Sequence, residues 1–161
     1  MTLNIVILAL VTLQRLSELW LSNRNTRRLL GMGAVEHSPG HYPLIVAVHA
    51  LWLAALWWLA PMRPIDGFWL AMFVALELAR IWVLASLGRR WTTRIIVLPN
   101  EPLVRRGPYR FVSHPNYLVV VGEIAVLPLV FGLWQVALIA TLLNAVALTI
   151  RIRAENRALN R

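Results

Sequence analysis

Five long apolar runs alternate along the chain with shorter segments that carry most of its charged residues. A helix needs about 20 largely apolar residues to cross a bilayer. The runs approach this length and lie at 2–22, 42–60, 67–87, 117–133 and 134–152. The last two runs are contiguous and have Phe131-Gly132 as their only joint, which predicts a tight helical hairpin. The pattern predicts an all-α integral membrane protein with about five transmembrane helices and a C-terminal helical hairpin.

The composition agrees with a membrane location and excludes some kinds of catalytic and metal site. Hydrophobic residues make up 59% of the 161 positions, and charged residues only 14%. All sixteen basic residues are arginines, and they cluster between the apolar runs, with only Arg15 and Arg80 inside them. This distribution favours lipid headgroups over nucleic acid as partners. The chain contains no cysteine, so a cysteine nucleophile and a zinc–thiolate site are excluded.

The arginines also predict the orientation, because cytoplasmic connections between membrane helices are usually the basic ones. One set of alternate segments holds thirteen arginines, at positions 24, 27, 28, 89, 90, 94, 105, 106, 110, 151, 153, 157 and 161. The opposite set holds only Arg63. We therefore expect the N-terminus outside, the C-terminus in the cytoplasm and membrane lipids around the helices. The sequence does not indicate the oligomeric state.

Two connections carry signals of local structure. The basic segment 23–41, with glycines after its arginines, predicts an amphipathic piece at the membrane interface. The β-branched run from Thr92 to Val97 is too short to span a bilayer. It predicts a short strand or extended piece that turns at Asn100 toward Leu103-Val104.

Charged side chains also occur inside the apolar runs. Glu77 and Arg80 are three residues apart and share one helical face, as do Arg15 and Glu18. A charge at the bilayer centre costs roughly 2.5–3.5 kcal/mol on insertion scales, so such residues usually pair or face a cavity. A packing role as ion pairs and a functional role both remain open for them.

The histidines before the third run do not form a metal-binding pattern. His37 and His41 are four residues apart, but Pro39-Gly40 interrupts the helix that would bring both rings to one ion. We therefore predict no metal site. His49 lies on an apolar helical face and is predicted to be a hydrogen-bonded packing residue.

The densest candidate chemistry lies at 106–117, directly before the fourth run, and in the C-terminal helix, where Arg151 and Glu155 share one face. The candidates at the cytoplasmic surface are Tyr109, His114, Asn116, Tyr117, Arg151 and Glu155, with Glu123 about two turns into the fourth helix. They could hold a charged amphiphile with an opening toward lipid. Equally, the tyrosines could form an interfacial belt, His114-Pro115 could cap a helix, and the arginines could bind headgroups.

The order of these motifs resembles the isoprenylcysteine carboxyl methyltransferase family of membrane methyltransferases. The resemblance rests on Gly107-Pro108-Tyr109, His114-Pro115-Asn116-Tyr117, the hairpin, and Arg151-Ile152 with Glu155, and it covers roughly 88–161. The chain departs from the family at Ser113, Val119 and Asn156, where Arg, Gly and Glu are usual. The resemblance implies one membrane domain, 1–161, with three N-terminal spans over 1–87 and a methyltransferase-like core over 88–161.

Further features resemble one bacterial branch of this family, the O-methyltransferases associated with type III polyketide synthases. They include the segment from Arg94 to Pro99, Glu123, Pro128-Leu129 and the ending from Arg151 to Arg157. Members of that branch act on alkylpyrones and alkylresorcinols. The likeness implies a location in the bacterial inner membrane and a lipophilic small-molecule acceptor.

The resemblance implies S-adenosyl-L-methionine in a cytosol-facing cavity and methyl transfer to an oxygen of a carboxylate, phenol or enol. The implied cofactor-binding residues are Gly107, Tyr109, His114, Pro115, Asn116, Tyr117, Arg151 and Glu155. Arg151 or His114 could bind the cofactor's carboxylate, and Glu155 its ammonium group. The candidate catalytic residues are His114, Glu123 and Tyr117. A carboxylate acceptor needs no base, whereas a phenol or enol would profit from His114 or Glu123 as one.

Other classes of protein remain open. A sterol-reductase-like enzyme carries a similar His-Pro-Asn-Tyr motif and uses NADPH, but usually has a Gly-Trp-Trp-Gly-like segment where this chain has Gly107-Pro108-Tyr109-Arg110. A small transporter is disfavoured because the chain shows no internal repeat. A non-enzymatic membrane protein is the remaining alternative, and in it His114 and Tyr117 would be freely replaceable.

Overall fold

The computed structural model describes residues 2–99, 101–102 and 104–158, with only the backbone of His41. Five α-helices carry the fold: α1 (Thr2–Gly31), α2 (Tyr42–Leu59), α3 (Gly67–Leu87), α4 (Pro115–Val130) and α5 (Trp134–Ala158). Short 3-10 turns at Pro39–His41, Gly88–Arg90 and Gly107–Arg110 lie between them.

Helices α1, α2, α3 and α5 are long and apolar enough to cross a membrane, whereas α4 has only 16 residues. The structure thus confirms a mostly helical protein with four helices able to cross a membrane, while the count of five crossings stays a prediction. The predicted hairpin is present. Helix α4 ends at Val130 and α5 begins at Trp134, with Gly132 at a φ of 66° in the turn between them.

Helix α1 is longer than its apolar run. The sequence predicted a separate interfacial segment from residue 23, but the helix continues to Gly31. Neither glycine nor proline occurs between Thr2 and Leu30, so the backbone has no strong helix breaker before that point. The added turns have a structural consequence, because Asn25 donates from Nδ2 to the carbonyl of Trp91 at 2.8 Å. This bond ties α1 to the segment that follows α3.

A short sheet lies at the same end of the helical bundle. Strands β1 (Val35–Glu36) and β2 (Ile96–Val97) run antiparallel, with Glu36 opposite Ile96. Arg94 contacts Glu36 at 2.9 Å. The structure confirms the last two residues of the predicted strand and shows that its partner comes from the connection between α1 and α2. The predicted turn from Asn100 toward Leu103 lies outside the described residues.

Helix α4 lies in the middle of the packing. Ile124 and Leu127 on this helix are fully buried, and Trp52 of α2 donates from Nε1 to the Ile124 carbonyl at 3.2 Å. Gly122 allows a close approach to α3, since a Cβ at this position would lie 2.7 Å from a Leu76 methyl group. Helix α4, which begins with the sequence motif, is therefore held by helices on more than one side.

Two arginines lie among carboxylates inside the bundle, Arg80 buried and Arg15 partly exposed. Arg80 of α3 binds Glu18 of α1 through two nitrogens, at 2.5 and 2.6 Å, and contacts Glu123 of α4 at 3.1 Å. Arg15 of α1 contacts Glu18 at 3.1 Å and Glu123 at 2.7 Å. We call Arg15, Glu18, Arg80 and Glu123 the ionic layer. It joins α1, α3 and α4.

The partner of Arg80 differs from the one that the sequence spacing suggested. Glu77 shares a helical face with Arg80, but it accepts a hydrogen bond from Gln14 of α1 at 2.6 Å instead. The planar guanidinium of Arg80 makes a bidentate contact with Glu18 on a neighbouring helix, and such contacts are stronger than single ones. The charges inside the apolar runs therefore do pair, Arg15 with Glu18 within α1 and Arg80 with carboxylates of neighbouring helices.

The ionic layer predicts that Glu123→Gln destabilises the protein. The change leaves Arg15 and Arg80 with one carboxylate between them, and breaking a buried ion pair costs about 3 kcal/mol or more. We expect a clearly lower thermal midpoint for purified protein in detergent. Glu101→Gln is the matched control, because the Arg90–Glu101 pair is exposed and contributes at most about 1 kcal/mol. Equal midpoints for the two variants would contradict the structural role of Glu123.

Candidate functional site

A polar cavity of about 680 Å³ opens at the end of the bundle where the arginine-rich segments lie. The segment between α3 and α4, the first turn of α4 and the last turns of α5 form its walls. Six predicted site residues line it: Tyr109, His114, Asn116, Tyr117, Arg151 and Glu155. The two parts of the chain that the sequence motifs occupy therefore face one space.

Tyr117 connects these two parts. Its hydroxyl accepts a hydrogen bond from Nε of Arg151 at 2.7 Å and donates one to Glu155. The Arg151 guanidinium lies over the Tyr117 ring, 5.4 Å from its centre, and the His114 ring stacks on the ring at 5.1 Å. Nδ1 of His114 is 3.8 Å from Glu155. Arg151 and Glu155 can both reach Tyr117 because α5 places them one turn apart on the same face.

Gly107 and Pro115 shape the backbone around the cavity rather than line it. Gly107 has a φ of 57°, and a Cβ on it would lie 2.1 Å from the Ser86 hydroxyl oxygen. Arg106 donates to the carbonyl of Ser86 at 2.8 Å and holds this turn against α3. Pro115 is the first residue of α4, where its missing N–H costs nothing. These two predicted site residues position the side chains that follow them.

Tyr109 and Asn116 present different polar groups to the polar cavity. Burial, and to a lesser degree the Glu155 carboxylate, raise the pKa of the Tyr109 hydroxyl, which therefore remains protonated and can donate. The Oδ1 of Asn116 is buried and has no hydrogen-bond partner among the described residues. The same is true of Nε1 of Trp91, which also lines the cavity. A ligand could satisfy both atoms.

Glu123 lies apart from the other predicted site residues. It follows Tyr117 by six positions, which places it roughly 9 Å deeper along α4. Its side chain is fully buried and binds Arg15 and Arg80. The structure does not bring it into the polar cavity, so a part for Glu123 in the chemistry remains a prediction.

Thr93 is a site residue that the sequence did not reveal. Its side-chain oxygen lies 2.7 Å from the Ser22 hydroxyl and 3.2 Å from the Tyr42 hydroxyl, and its carbonyl accepts a hydrogen bond from Arg151. We call Ser22, Tyr42, Thr93 and Arg151 the Thr93 junction. It joins α1, α2 and α5 through one loop residue, and the sequence showed only a β-branched run at this place.

A second, largely apolar cavity of about 280 Å³ lies deeper between α1, α2, α4 and α5. The two cavities share Trp91, Thr92, Asn116, Tyr117 and Arg151 as lining residues. The apolar cavity also reaches the outer surface of the helices, where Leu16 is 58% and Val46 is 40% exposed. A molecule could therefore contact both the polar cavity and the lipid-facing surface between α1 and α2.

Comparison with known proteins gives one family. The model of the isoprenylcysteine carboxyl methyltransferase family matches residues 69–161. The uncharacterised protein YpbQ of Bacillus subtilis is 36% identical over 160 residues, which cover 96% of this chain and 95% of that protein. An uncharacterised protein of Haemophilus influenzae is 24% identical over 152 residues, covering 91% and 88% of the two chains. No solved structure matches.

The backbone at Gly107 predicts that Gly107→Ala damages the turn before α4. The methyl group would meet Ser86 in addition to the cost of a left-handed backbone, which is about 1 kcal/mol for alanine. Gly132→Ala is the matched control, since Gly132 has a similar φ of 66° but open space around it. We expect the thermal midpoint to fall further for Gly107→Ala. An equal fall would contradict the close approach to Ser86.

Proposed function

The chain belongs to the isoprenylcysteine carboxyl methyltransferase family, and we propose that it transfers a methyl group from S-adenosylmethionine to an oxygen of a lipophilic, membrane-partitioned small molecule. Family membership indicates a membrane methyltransferase. The observation that carries the finer proposal is the meeting of a polar and an apolar cavity at Tyr117 and Arg151. An alkylpyrone, an alkylresorcinol or a prenylated carboxylate has the matching form, with a polar head and a long apolar tail.

The residues of the polar cavity fit the chemical groups of the cofactor. Arg151 suits its carboxylate, and Glu155 suits its ammonium group. The faces of His114 and Tyr117 suit a cation, because aromatic rings attract positive charge. Trp91 Nε1 and Asn116 Oδ1 offer a donor and an acceptor that lack partners in the described chain, and a purine edge could use both. The cofactor supplies an activated methyl group, and these side chains orient it.

The acceptor's tail would enter the apolar cavity from the lipid between α1 and α2. Its reactive oxygen would then lie beside Asn116 and Tyr117, where the cavities meet. Methyl transfer is an in-line displacement, so the protein contributes mainly positioning and exclusion of water. For a phenol or enol, His114 is the better placed base, because Glu123 is engaged by Arg15 and Arg80.

The orientation belongs to the same proposal. The polar cavity lies at the end of the bundle that carries Arg90, Arg94, Arg105 and Arg110, and basic segments favour the cytoplasmic side. We place this end in the cytoplasm, where the cofactor is available, and the N-terminus on the outer side of a bacterial inner membrane.

Cofactor binding tests the proposal directly. We expect folded protein in nanodiscs to bind labelled S-adenosylmethionine in equilibrium dialysis. His114→Ala and Glu155→Ala should weaken binding by about tenfold or more, the effect of losing one charge-assisted contact. Arg153→Ala is the control, because Arg153 is exposed on the opposite face of α5.

Three outcomes would contradict the proposed function or its cofactor site. Folded wild-type protein that binds no S-adenosylmethionine would refute the proposed function. Binding of NADPH in its place would favour the sterol-reductase-like alternative. Equal effects of the Glu155 and Arg153 changes would indicate that the charges of α5 bind lipid headgroups rather than a cofactor.

The place of the acceptor's tail gives a second prediction. Ala50→Trp should fill part of the apolar cavity and lower methylation of a long-chain acceptor severalfold, with cofactor affinity unchanged. Ala47→Trp is the matched control, because Ala47 is exposed on the same helix and does not line the cavity. Equal activity of the two variants with a long-chain alkylresorcinol would contradict tail binding in this cavity.

A further inference from the structure

A second set of polar side chains lies inside the apolar cavity, below the Thr93 junction. Three helices contribute to that junction, through Ser22 on α1, Tyr42 on α2 and Arg151 on α5. On each helix another polar residue lies seven positions further into the bundle. These residues, which we call the inner polar layer, are Arg15, His49 and Asn144.

The helical repeat brings the inner polar layer to one level. Seven residues make almost two full turns, so each inner residue points from the same helical face as the junction residue above it. The rise between them is about 10 Å on every helix. All three inner side chains line the apolar cavity. Arg15 and His49 precede the part of the chain that the family model matches.

Two donors of the inner polar layer are buried without a partner in the part of the chain that the structure describes. Asn144 is only 4% exposed, and its Nδ2 makes no hydrogen bond there. Nε of Arg15 is also buried and makes no hydrogen bond to the described residues, although the two other nitrogens of this side chain bind Glu18 and Glu123. A buried donor without a partner destabilises a protein, so two of them beside one cavity point to a bound group that accepts hydrogen bonds.

His49 adds an acceptor to these donors. Its Nδ1 lies 2.8 Å from the carbonyl oxygen of Ile45, and because a carbonyl can only accept, Nδ1 carries the proton. In the neutral ring Nε2 is then unprotonated and can accept a hydrogen bond. A hydroxyl group both accepts and donates, so it can satisfy donors and acceptor together.

We propose that the inner polar layer binds a second, uncharged oxygen function of the acceptor, a hydroxyl group, below the oxygen that is methylated. This inference rests on the proposed function and restricts the acceptor to molecules with two oxygen groups. The oxygen that is methylated would lie where the cavities meet, beside Tyr117 and Arg151, and Arg151 is at the level of the Thr93 junction, about 10 Å above the inner polar layer. A hydrogen bond of about 3 Å at each end leaves roughly 4 Å between the two ligand oxygens. Both oxygens can then belong to one ring, and a fatty acid with a single terminal carboxylate would leave the inner layer unused.

Two matched probes test ligand binding by the inner polar layer without requiring catalytic turnover. Pentadecylresorcinol carries two hydroxyl groups on its ring, and the corresponding pentadecylphenol carries one. For the whole protein in nanodiscs, the dependence of the thermal midpoint on probe concentration gives an apparent dissociation constant. We expect wild-type protein to bind the resorcinol about tenfold more tightly than the phenol, because the phenol leaves the buried donors unpaired.

Asn144→Leu should abolish this preference. Since Nδ2 has no partner among the described residues, leucine should keep or raise the thermal midpoint without a probe, and a folding defect is not expected. His49→Phe keeps a ring but removes the acceptor, and it should reduce the preference as well. Gln135→Leu is the control, because it makes the same amide-to-leucine change at an exposed position of α5 and should leave the preference intact.

The outcomes separate this inference from the proposed function. A wild-type protein that binds both probes equally, or an Asn144→Leu variant that keeps the preference, would overturn the inner layer as a ligand site. If the preference is present and depends on Asn144, but S-adenosylmethionine does not bind, the inner layer stands and the methyltransferase proposal fails. Both results come from binding measurements on the same preparations.

Discussion

The burial of the Arg80 guanidinium and the partial burial of Arg15 inside the helical bundle are the constraint on which the arrangement of helices depends. Arg15 and Arg80 can lie in an apolar interior only when opposite charges balance them. Glu18 and Glu123 provide that balance from two different helices. A buried ionic cluster contributes little net stability, because desolvation offsets most of the attraction. Its effect is to fix which helices meet and at what height, so that α1, α3 and α4 cannot slide past one another without exposing a bare charge.

Helix α1 fixes the position of the polar cavity relative to the ionic layer. Glu18, Ser22 and Asn25 follow one another at spacings of four and three residues and share one face. They bind Arg80, Thr93 and the Trp91 carbonyl in that order. Once the ionic layer fixes the height of Glu18, the heights of Thr93 and Trp91 follow. The polar cavity is thus positioned from below by a helix that contributes few residues to its lining.

The features that the sequence predicted are those that depend on local spacing. The helical hairpin and the shared face of Arg151 and Glu155 both follow from a few consecutive turns. The partner of Arg80 and the junction at Thr93 could not be predicted, since they join residues that are 62 and 71 positions apart. Helix α1 was predicted too short because a basic surface ends an apolar run without ending the helix. The motifs did predict that His114, Tyr117 and Glu155 share a site, and the packing of α4 against α5 explains why they meet.

The replacement of the usual arginine by Ser113 is best understood from the charge of the whole cavity. Ser113 lines the polar cavity, but so do Arg94, Arg105 and Arg110, which come from other parts of the same wall. Because arginine side chains are long, their guanidinium groups can reach the same place in a cavity from different backbone positions. Binding a carboxylate requires a guanidinium at that point rather than at a given place in the sequence. Arg94 already contacts Glu36, but Arg105 and Arg110 also line the cavity and could supply the charge for an anionic group in place of the usual arginine.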